Sequence, residues 1–561
     1  MKWQGKGVSE GLAMAQIHLF TPKLPEISRQ PAADAEAEVA KLEATLAAAE
    51  EELRGLYETA KEKMGEQEAE IFDAHLTILG DEYSVREPII QRIREQKQNA
   101  AAAITDQFDE LAQMFRSLGD ELMAERAADA EDLKQQLLRI CLGCGRQDLS
   151  VLPGDVIVLA EELTPSDTVR MDTAHVKGIA TRLGGATAHS AIIARTLGIP
   201  AAAGIDGWQT EALNGHMAIL DGADGTLTVD PTDEETACYQ SRKAQADCEA
   251  QALEAFRTCP SQTKDGAALE ICANIGTPQE AQQAMKYGAD GVGLFRSEFL
   301  YLNSPDYPTE DQQFEAYKKV LADMGGKEVI IRTLDIGADK QIGYFNLPKE
   351  DNPAMGMRAL RICLTRPEIF KTQLRALYRA SAFGKLGIMF PMVTSVWEVR
   401  EAKKYCEEVK RDLKAEGIPF AEDVQVGIMI ETPAAAIMSD RLAKEVDFFS
   451  CGTNDLTQYT LACDRQNNDL GRFYDPHNPA VLRLLKMVTE NAHKNGIWVG
   501  ICGELGADLT LTETFLAIGV DELSVSPRAV LPLRNAVRMT DTRESAPRLL
   551  AAIDAEYPET L

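Results

Sequence analysis

The sequence predicts a multidomain α/β protein: a small α/β domain with an inserted all-α helical bundle, followed by a C-terminal (β/α)8 TIM barrel. Three observations support this fold class. A chain of 561 residues is too long for one hydrophobic core. A long Ala/Glu/Leu-rich stretch with helical period separates two regions of short strand-like runs. Beyond them, eight apolar strand-like runs alternate with helical patterns, as in a (β/α)8 barrel.

The order of these patterns sets the expected domain boundaries. Residues 1–20 plus 147–230 are expected to form the α/β domain, because both parts contain strand-like runs with glycine or Pro/Gly turns. Residues 21–146 have the composition and period of long antiparallel helices, with breaks expected only near positions 80 and 118. Residues 231–261 form a charged helical stretch that we expect to be a linker. Residues 262–561 are expected to form the barrel.

The overall composition excludes several classes of partner. With a formal net charge of −30 and a pI near 4.7, the surface repels nucleic acid and anionic lipid and attracts a basic protein. The sequence contains no signal-peptide pattern and no apolar run near the roughly 20 residues that span a bilayer. Its eleven cysteines fit reduced thiols. We therefore expect a soluble cytoplasmic protein without nucleic-acid binding or membrane insertion.

Polar or reactive side chains follow the predicted barrel strands at the points where the apolar runs end. These residues are Arg296, Arg332, Glu431, Asn454 with Asp455, and Cys502 with Glu504. Active sites of (β/α)8 barrels are built at the carboxyl ends of the strands. The recurrence of this pattern on five strands therefore predicts an active site at that mouth of the barrel.

The charged residues of this predicted site indicate an anion and a metal. Arg296 and Arg332 favour an anionic ligand, because guanidinium groups match carboxylate and phosphate oxygens, and Arg465 is a candidate for a third contact. Glu431 and Asp455 end adjacent strands, and two carboxylates beside such a ligand suit octahedral Mg²⁺. The alternatives are arginines that only form salt bridges to barrel carboxylates, and carboxylates that only orient the arginines.

Cys502 follows the seventh predicted strand in GICGEL. A thiol is mostly protonated at neutral pH, so it can donate a proton or, once activated, act as a nucleophile. The alternative is a buried and inert thiol. An anion site, Mg²⁺ and a protonating thiol together describe enolate chemistry, for which phosphoenolpyruvate is one of few candidate substrates.

His189 lies in TRLGGATAHSAIIARTLGIP, residues 181–200, where a Gly-Gly turn meets a predicted helix. Backbone N–H groups and the positive end of the helix dipole favour a phosphoryl group there. A neutral imidazole nitrogen is a competent covalent nucleophile. The alternative is a capping or core histidine. That reading is stronger for His75, which we expect to be a half-buried helix histidine or a docking contact.

The chain resembles enzyme I of the bacterial sugar phosphotransferase system over essentially its whole length. The matching segments are GGATAHSAIIARTLGIPA around His189, GVGLFRSEFL (291–300), IRTLDIGADK (331–340), NPAMGMRALRI (352–362), IMFPMVTSV (388–396), ETPAAA (431–436), FFSCGTNDLTQYTLACDR (448–465) and GICGELGAD (500–508). The resemblance is most specific in the second half of the chain.

The resemblance implies a role for each candidate residue and for the domains. The implied roles are phosphoryl acceptance on Nε2 for His189, substrate binding for Arg296, Arg332, Asn454, Asp455 and Arg465, Mg²⁺ coordination for Glu431 and Asp455, and protonation of the enolate for Cys502. In this family the helical block docks the phosphocarrier protein HPr, here through residues 66–82, and the barrels pair into a homodimer. The implied reaction transfers the phosphoryl group of phosphoenolpyruvate to the enzyme's histidine and then to HPr, releases pyruvate, and begins sugar uptake.

The sequence departs from the family pattern near the histidine. The usual motif is Gly-Gly-Arg-Thr-Ser-His, and this chain has Ala186 and Ala188 at the Arg and Ser positions while it keeps Thr187. A cationic contact and a hydroxyl are therefore missing. Ala338 also replaces a glycine that is usual after DIG.

Two other functions remain as alternatives to this reading. The first is a pyruvate phosphate dikinase or phosphoenolpyruvate synthase, which needs a large ATP-binding domain. No Gly-rich nucleotide loop precedes the histidine. The second is a catalytically inactive scaffold that uses its helical block to bind partners. Intact candidate residues at every strand end argue against it.

Overall fold

The computed structural model describes residues 1–21, 25, 27–63, 66–117, 121–144, 149–184, 189–208, 211–302, 304, 306–337, 342–465, 467 and 470–555. For His189 and a few other helical residues it describes the backbone alone. The chain divides into two compact units, Met1–Asp247 and Cys248–Leu561. Among the described helices, none combines the length and apolar composition that crossing a bilayer requires.

The first unit contains an eight-stranded sheet in the order β1-β8-β7-β3-β4-β5-β6-β2. Its strands are β1 (Lys2–Gln4), β2 (Lys6–Ser9), β3 (Leu12–Phe20), β4 (Val156–Ala160), β5 (Val176–Thr181), β6 (Ala201–Ala203), β7 (Met217–Asp221) and β8 (Thr226–Val229). Strand β3 pairs in parallel with β4, with Ile17 opposite Ile157. The N-terminal segment thus joins the sheet formed after the helical block, which confirms the prediction of an inserted bundle.

The described residues between β3 and β4 form a bundle of five helices. They are α1 (Ala35–Lys63), α2 (Glu66–Leu79), α3 (Glu87–Glu95), α4 (Ala100–Ser117) and α5 (Glu121–Cys141), with a π-helical turn at Glu82–Arg86. The prediction missed a break between α3 and α4, where Lys97 takes a positive φ of 53°. Residues 118–120, at the second expected break, lie outside the described residues.

Polar bonds attach the bundle to the sheet domain through α6 (Pro165–Arg170). Arg170 donates to Glu52 Oε1 at 2.6 Å, and Ser166 donates to Asp132 at 3.0 Å. Two further helices follow, α7 (His189–Leu197) and α8 (Asp233–Glu254). Ala191 and Ala194 of α7 are buried in the core of the sheet domain, so packing fixes the helix that begins at His189.

The second unit is a closed barrel of eight parallel strands, which confirms the predicted (β/α)8 fold. Its strands are β9 (Glu270–Ile275), β10 (Val292–Arg296), β11 (Val329–Arg332), β12 (Leu386–Phe390), β13 (Gln425–Ile430), β14 (Phe448–Cys451), β15 (Trp498–Ile501) and β16 (Glu522–Val525). Its helices are α9 (Glu280–Lys286), α10 (Phe299–Leu302), α11 (Glu310–Asp323), α12 (Leu360–Thr365), α13 (Pro367–Ala380), α14 (Val396–Glu416), α15 (Pro433–Ile437), α16 (Ser439–Leu442), α17 (Thr453–Leu461), α18 (Pro479–Lys494), α19 (Thr512–Ile518), α20 (Val530–Met539) and α21 (Thr542–Asp554).

Two separate cores stabilise the barrel. Alternate strand residues pack against the surrounding helices in one large apolar cluster. A second cluster includes Met389, Met429, Phe448 and Cys502, and the Trp498 ring stacks on Phe448 with ring centroids 4.6 Å apart. The alternation of strand side chains separates the two cores. Arg296, Glu431 and Cys502 lie at the carboxyl ends because each is the last residue of a strand or directly follows it.

Candidate active site at the barrel mouth

Arg296 and Arg332 occupy paired positions at the ends of β10 and β11. Arg332 is almost buried and forms ion pairs with Glu298 at 2.8 Å and Asp335 at 2.9 Å. Arg296 is exposed and forms no ion pair within the described part of the chain. The salt-bridge alternative therefore describes Arg332, whereas Arg296 is a cation available to an anionic ligand.

Carboxylates and arginines alternate across the mouth. Asp335 accepts from Arg358 at 2.9 Å, and Arg358 lies 3.8 Å from Asp455. Asp455 in turn pairs with Arg465 at 3.3 Å. The network links Arg332, Asp455 and Arg465, three of the residues predicted from the sequence, through charges that the sequence reasoning had not singled out.

Three residues of this network were missed: Glu298, Asp335 and Arg358. Glu298 and Asp335 lie two and three residues beyond the strand-end arginines, and their proximity to those arginines in sequence was the only available signal. Arg358 comes from the loop before α12 and carries no strand-end signal at all. Only the folded chain shows that it reaches Asp335.

Glu431, directly after β13, is buried and has one engaged oxygen. Its Oε1 accepts from the backbone N–H of Met392 at 2.5 Å. Its Oε2 lies 3.1 Å from the position that a Cβ would take at Gly452, so the glycine leaves room beside this oxygen. Burial, with smaller contributions from Asp335 and Asp455, raises the pKa of Glu431 to about 8.

This carboxylate cluster fits a Mg²⁺ ion. The donors are hard oxygens, which Mg²⁺ prefers, and few protein ligands are needed because Mg²⁺ keeps water and substrate oxygens. The raised pKa of Glu431 reflects chiefly its burial and, in smaller part, the charges of Asp335 and Asp455, and a divalent cation would favour the ionised form of this buried group. Glu431 and Asp455 are therefore suited to hold the ion.

Asn454 and Asp455 lie in the first turn of α17 and not at the strand end itself, which corrects the prediction in detail. The Asn454 side-chain oxygen accepts from the backbone N–H of Glu504 at 2.9 Å. Its carbonyl accepts from the Tyr474 hydroxyl at 3.2 Å. These bonds join the loops that follow β14 and β15, so Asn454 helps to fix the mouth.

Cys502 is buried directly after β15, with its Sγ 3.7 Å from the carbonyl oxygen of Cys451. Burial raises the pKa of the Cys502 thiol to about 11, although Ser450 and Arg332 lower it in part. The thiol is therefore protonated at neutral pH. Of the two roles open from the sequence, this state favours the proton donor over the nucleophile.

The phosphoryl-acceptor candidate belongs to the other unit. The helix α7 begins at His189, and Gly184 before it has a φ of 93°, a backbone conformation that favours glycine. The side chain of His189 lies outside the described atoms, as do Ala186, Thr187 and Ala188. Ala338, in the barrel, also lies outside the described residues.

His75 differs from its predicted state. It is fully buried rather than half-buried, with Nε2 3.3 Å from Asp129 Oδ1 and its ring edge against Phe72. A buried imidazole cannot touch a docked partner. The docking alternative for His75 was therefore wrong, and the residue belongs to the core of the bundle.

Comparison with known proteins connects these features to one family. Three regions match models of PEP-utilising enzymes: the N-terminal region over residues 4–126, the mobile domain over 152–225 and the PEP-binding domain over 250–542. A relative from Staphylococcus aureus, named phosphoenolpyruvate-protein phosphotransferase, is 43% identical over 557 residues, 99% of this chain and 97% of its own. A relative of the same name from Geobacillus stearothermophilus is 44% identical over 97% of this chain and 94% of its own. The chain is also similar to an NMR solution structure of Enzyme I (nEIt), with 33% identity and a TM-score of 0.40 over 44% of this chain and 99% of that one.

Proposed function

The chain belongs to the PEP-utilising enzyme family, and we propose that it acts as a phosphoenolpyruvate-protein phosphotransferase, the name that its relatives carry. It phosphorylates its own His189 from phosphoenolpyruvate and then passes the phosphoryl group to HPr. The observation that carries the proposal is the barrel mouth, where an arginine without an ion pair among the described residues, two buried carboxylates and a protonated thiol lie at or just beyond the ends of parallel strands. The near full-length relatives favour this function over the dikinase and scaffold alternatives.

The cations of the mouth bind the substrate. Arg296 is available to a phosphate or carboxylate group, since it forms no ion pair within the described residues. Arg332 and Arg465 keep carboxylate partners at 2.8–3.3 Å and extend the positive field over the same mouth. Charge-assisted bonds from these groups orient the phosphoryl group and offset the charge that develops on the enolate.

Glu431 and Asp455 hold Mg²⁺ in this proposal. When bound, the ion supplies charge neutralisation at the phosphoryl and enolate oxygens. The protein's contribution is the pair of buried carboxylates and the space beside Gly452.

Cys502 protonates the enolate. When the phosphorus–oxygen bond of phosphoenolpyruvate breaks towards the histidine nitrogen, its electron pair stays on the enolate oxygen. The enolate's carbon–carbon double bond then takes the Cys502 proton at the methylene carbon, which gives pyruvate and a thiolate. Arg332 favours the thiolate, because it lowers the pKa of Cys502.

His189 serves two partners, and the helical bundle binds the second. We assign the HPr contact to residues 66–82, where exposed Asp73 and Thr77 alternate with the buried Phe72 and Leu79 in the described part of α2. A chain with a net charge of −30 attracts a basic carrier.

Rigid-body swivelling of the histidine domain about residues 231–261 connects the two reactions. The barrels pair as a homodimer. All eleven cysteines are free, which supports a cytoplasmic location.

The function is tested by incubating the purified chain with Mg²⁺ and labelled phosphoenolpyruvate in the absence of ATP. We expect stoichiometric pyruvate and an acid-labile phosphoryl label on the protein. A label that forms only with ATP would assign the chain to the dikinase group. A folded protein that takes no label in either condition would favour the remaining alternative, a catalytically inactive scaffold.

Replacing the unpaired arginine should weaken substrate binding. For Arg296→Gln we expect kcat/KM for phosphoenolpyruvate to fall about 10- to 100-fold, since a hydrogen bond to a charged group is worth about 1.5–3 kcal/mol. Arg411→Gln is the matched control, because Arg411 is an exposed arginine of α14 that pairs with Asp412 on the helix surface. Equal kinetics for Arg296→Gln and wild type would remove Arg296 from the substrate site.

Removing one carboxylate should raise the metal requirement. For Glu431→Gln we expect the Mg²⁺ concentration at half-maximal rate to rise at least about tenfold, because even outer-shell partners are worth about 10- to 100-fold in metal affinity. Rates are measured against Mg²⁺ at saturating phosphoenolpyruvate, after chelation has abolished activity. Glu422→Gln, at an exposed carboxylate, is expected to match wild type. An unchanged Mg²⁺ dependence in Glu431→Gln would contradict the ligand assignment.

Reversing a charge on α2 should weaken the carrier complex. For Asp73→Lys we expect HPr to bind roughly fivefold less tightly, on the order of 1 kcal/mol as for exposed charge pairs, and the difference to shrink at high salt. Binding is measured by titration calorimetry at two ionic strengths. Glu422→Lys makes the same charge change on the barrel and is expected to bind normally. If both variants lose the same affinity, the net charge and not this face attracts the carrier.

A further inference from the structure

A second cluster of ligand-type side chains lies at the amino-terminal ends of the barrel strands. Glu270 and Glu522 are the first residues of β9 and β16, and Cys272 follows on β9. One carboxylate oxygen from each glutamate and the Cys272 Sγ all lie within 4.8 Å of one another. The proposed reaction uses none of these residues, because the active site lies at the carboxyl ends of the strands.

The register of the two strands forces the carboxylates together. Glu522 is paired directly with Glu270, and Ser524 with Cys272. Paired residues point to the same face of a sheet, and like charges at such positions repel. Within the described residues neither glutamate forms an ion pair.

The surrounding charges offset this repulsion only in part, through Lys385, because the nearby cations have other partners. Lys385 bonds to Glu328, Arg534 to Asp290, and His493 to Asp521. Burial and neighbouring carboxylates raise the pKa of Glu522 to about 8. Partial desolvation and the same carboxylates raise the pKa of Glu270, whose side chain still reaches solvent. Burial raises the pKa of the Cys272 thiol as well. The cluster therefore needs either protons or a cation.

Two buried polar atoms at the cluster have no partner. Glu522 Oε1 and the Ser524 hydroxyl accept and donate no hydrogen bond in the described structure, although both residues are more than nine-tenths buried. Both atoms lie against Gly293, which has no side chain to crowd them: an added Cβ there would lie 2.1 Å from the carboxylate oxygen and 2.6 Å from the hydroxyl. An unpartnered buried carboxylate oxygen costs free energy that a ligand would recover.

We propose that Glu270, Cys272 and Glu522 bind a thiophilic divalent metal ion of the Zn²⁺ type. A thiolate selects Zn²⁺ over Mg²⁺, and carboxylates complete such sites. Three protein ligands leave one position of a tetrahedron for water. Binding of M²⁺ displaces the protons of the Cys272 thiol and the Glu522 carboxyl group to solvent and forms metal–sulfur and metal–oxygen bonds without a change of oxidation state. Exposed Glu270 gives the ion access from the amino end of the barrel.

Cobalt substitution in the full-length chain tests this site. We expect one Co²⁺ per chain to give a thiolate-to-cobalt charge-transfer band, Zn²⁺ to abolish the band by displacement, and Mg²⁺ to leave it unchanged. Cys272→Ala should lose the band, and Glu522→Gln should weaken Co²⁺ binding at least about tenfold. Cys406→Ala, at another buried thiol, should keep both the band and the affinity.

A second variant separates this site from the barrel mouth. Cys502→Ala should keep the cobalt band, because its thiol lies at the opposite ends of the strands. A band that survives Cys272→Ala and disappears in Cys502→Ala would overturn the proposal. Absence of any band in folded wild type at saturating Co²⁺ would also overturn it. If Cys272→Ala does not fold, the Co²⁺ affinity of Glu522→Gln tests the proposal instead. A Co²⁺ affinity equal to that of wild type would refute the metal site.

Discussion

His189→Ala is expected to abolish phosphorylation of the protein and, with it, all phosphoenolpyruvate-dependent transfer to HPr. The imidazole nitrogen is the only nucleophile that the proposal provides, and a methyl side chain cannot form the phosphorus–nitrogen bond. The backbone of α7 begins at position 189, and the N–H groups of a helix N-terminus can bind a phosphate; alanine keeps this helix start but offers no nitrogen to carry the phosphate. The variant and wild type are compared for acid-labile label after incubation with labelled phosphoenolpyruvate and Mg²⁺.

His216→Ala is the matched control for this experiment. His216 is an imidazole of the same domain that pairs with Asp230 at 2.8 Å and has no assigned role. We expect it to take up the label as wild type does. A label that persists in His189→Ala would refute the assignment of the acceptor, while loss of label in both variants would report damage to the domain rather than loss of a nucleophile.

Cys502→Ser is expected to slow pyruvate formation by about 10²- to 10⁴-fold, the usual contribution of a positioned general acid. A serine hydroxyl fills nearly the same volume but is a far weaker acid than a thiol. Binding of phosphoenolpyruvate should change little, because the arginines of the mouth remain. The most direct readout is exchange of the methyl hydrogens of pyruvate with deuterated solvent, which requires the proton donor in both directions.

The control for this variant is Cys451→Ser. Cys451 is equally buried one strand away, but its side chain packs in the outer core between barrel and helices. It should keep wild-type exchange. Exchange that is as fast in Cys502→Ser as in wild type would show that another group, or solvent, supplies the proton.

The raised pKa of Cys502 also fixes the sign of its pH dependence. Because the pKa is about 11, the proton donor is present throughout the neutral range and is lost only as the pH rises towards 11. A pH–rate profile of wild type should therefore show no loss from this group near the ordinary pKa of a thiol. A decline that begins there and is absent in Cys502→Ser would mean that the thiol is not held protonated.

Much of the fold could be predicted from local pattern alone. Helical period, strand alternation and the positions of glycine and proline locate the bundle, the sheet domain and the eight barrel strands, because each depends on neighbours a few residues apart. The prediction was incomplete where local sequence is ambiguous. The strand-like first twenty residues divide into three strands of three, four and nine residues, and Gln96–Asn99 breaks a stretch with helical composition.

The sequence by itself determined which chemistry the barrel mouth offers, because the carboxyl ends of parallel strands converge and Arg296, Glu431 and Cys502 each follow a strand. Tertiary structure alone decided the state of those groups. It shows that Arg332 is paired, that Arg296 forms no ion pair with any described residue, and that Cys502 is buried enough to stay protonated. It also closes β16 onto β9, which places Glu522 beside Glu270. Pairing and burial depend on residues that are remote along the chain, and no local pattern records which of them will meet.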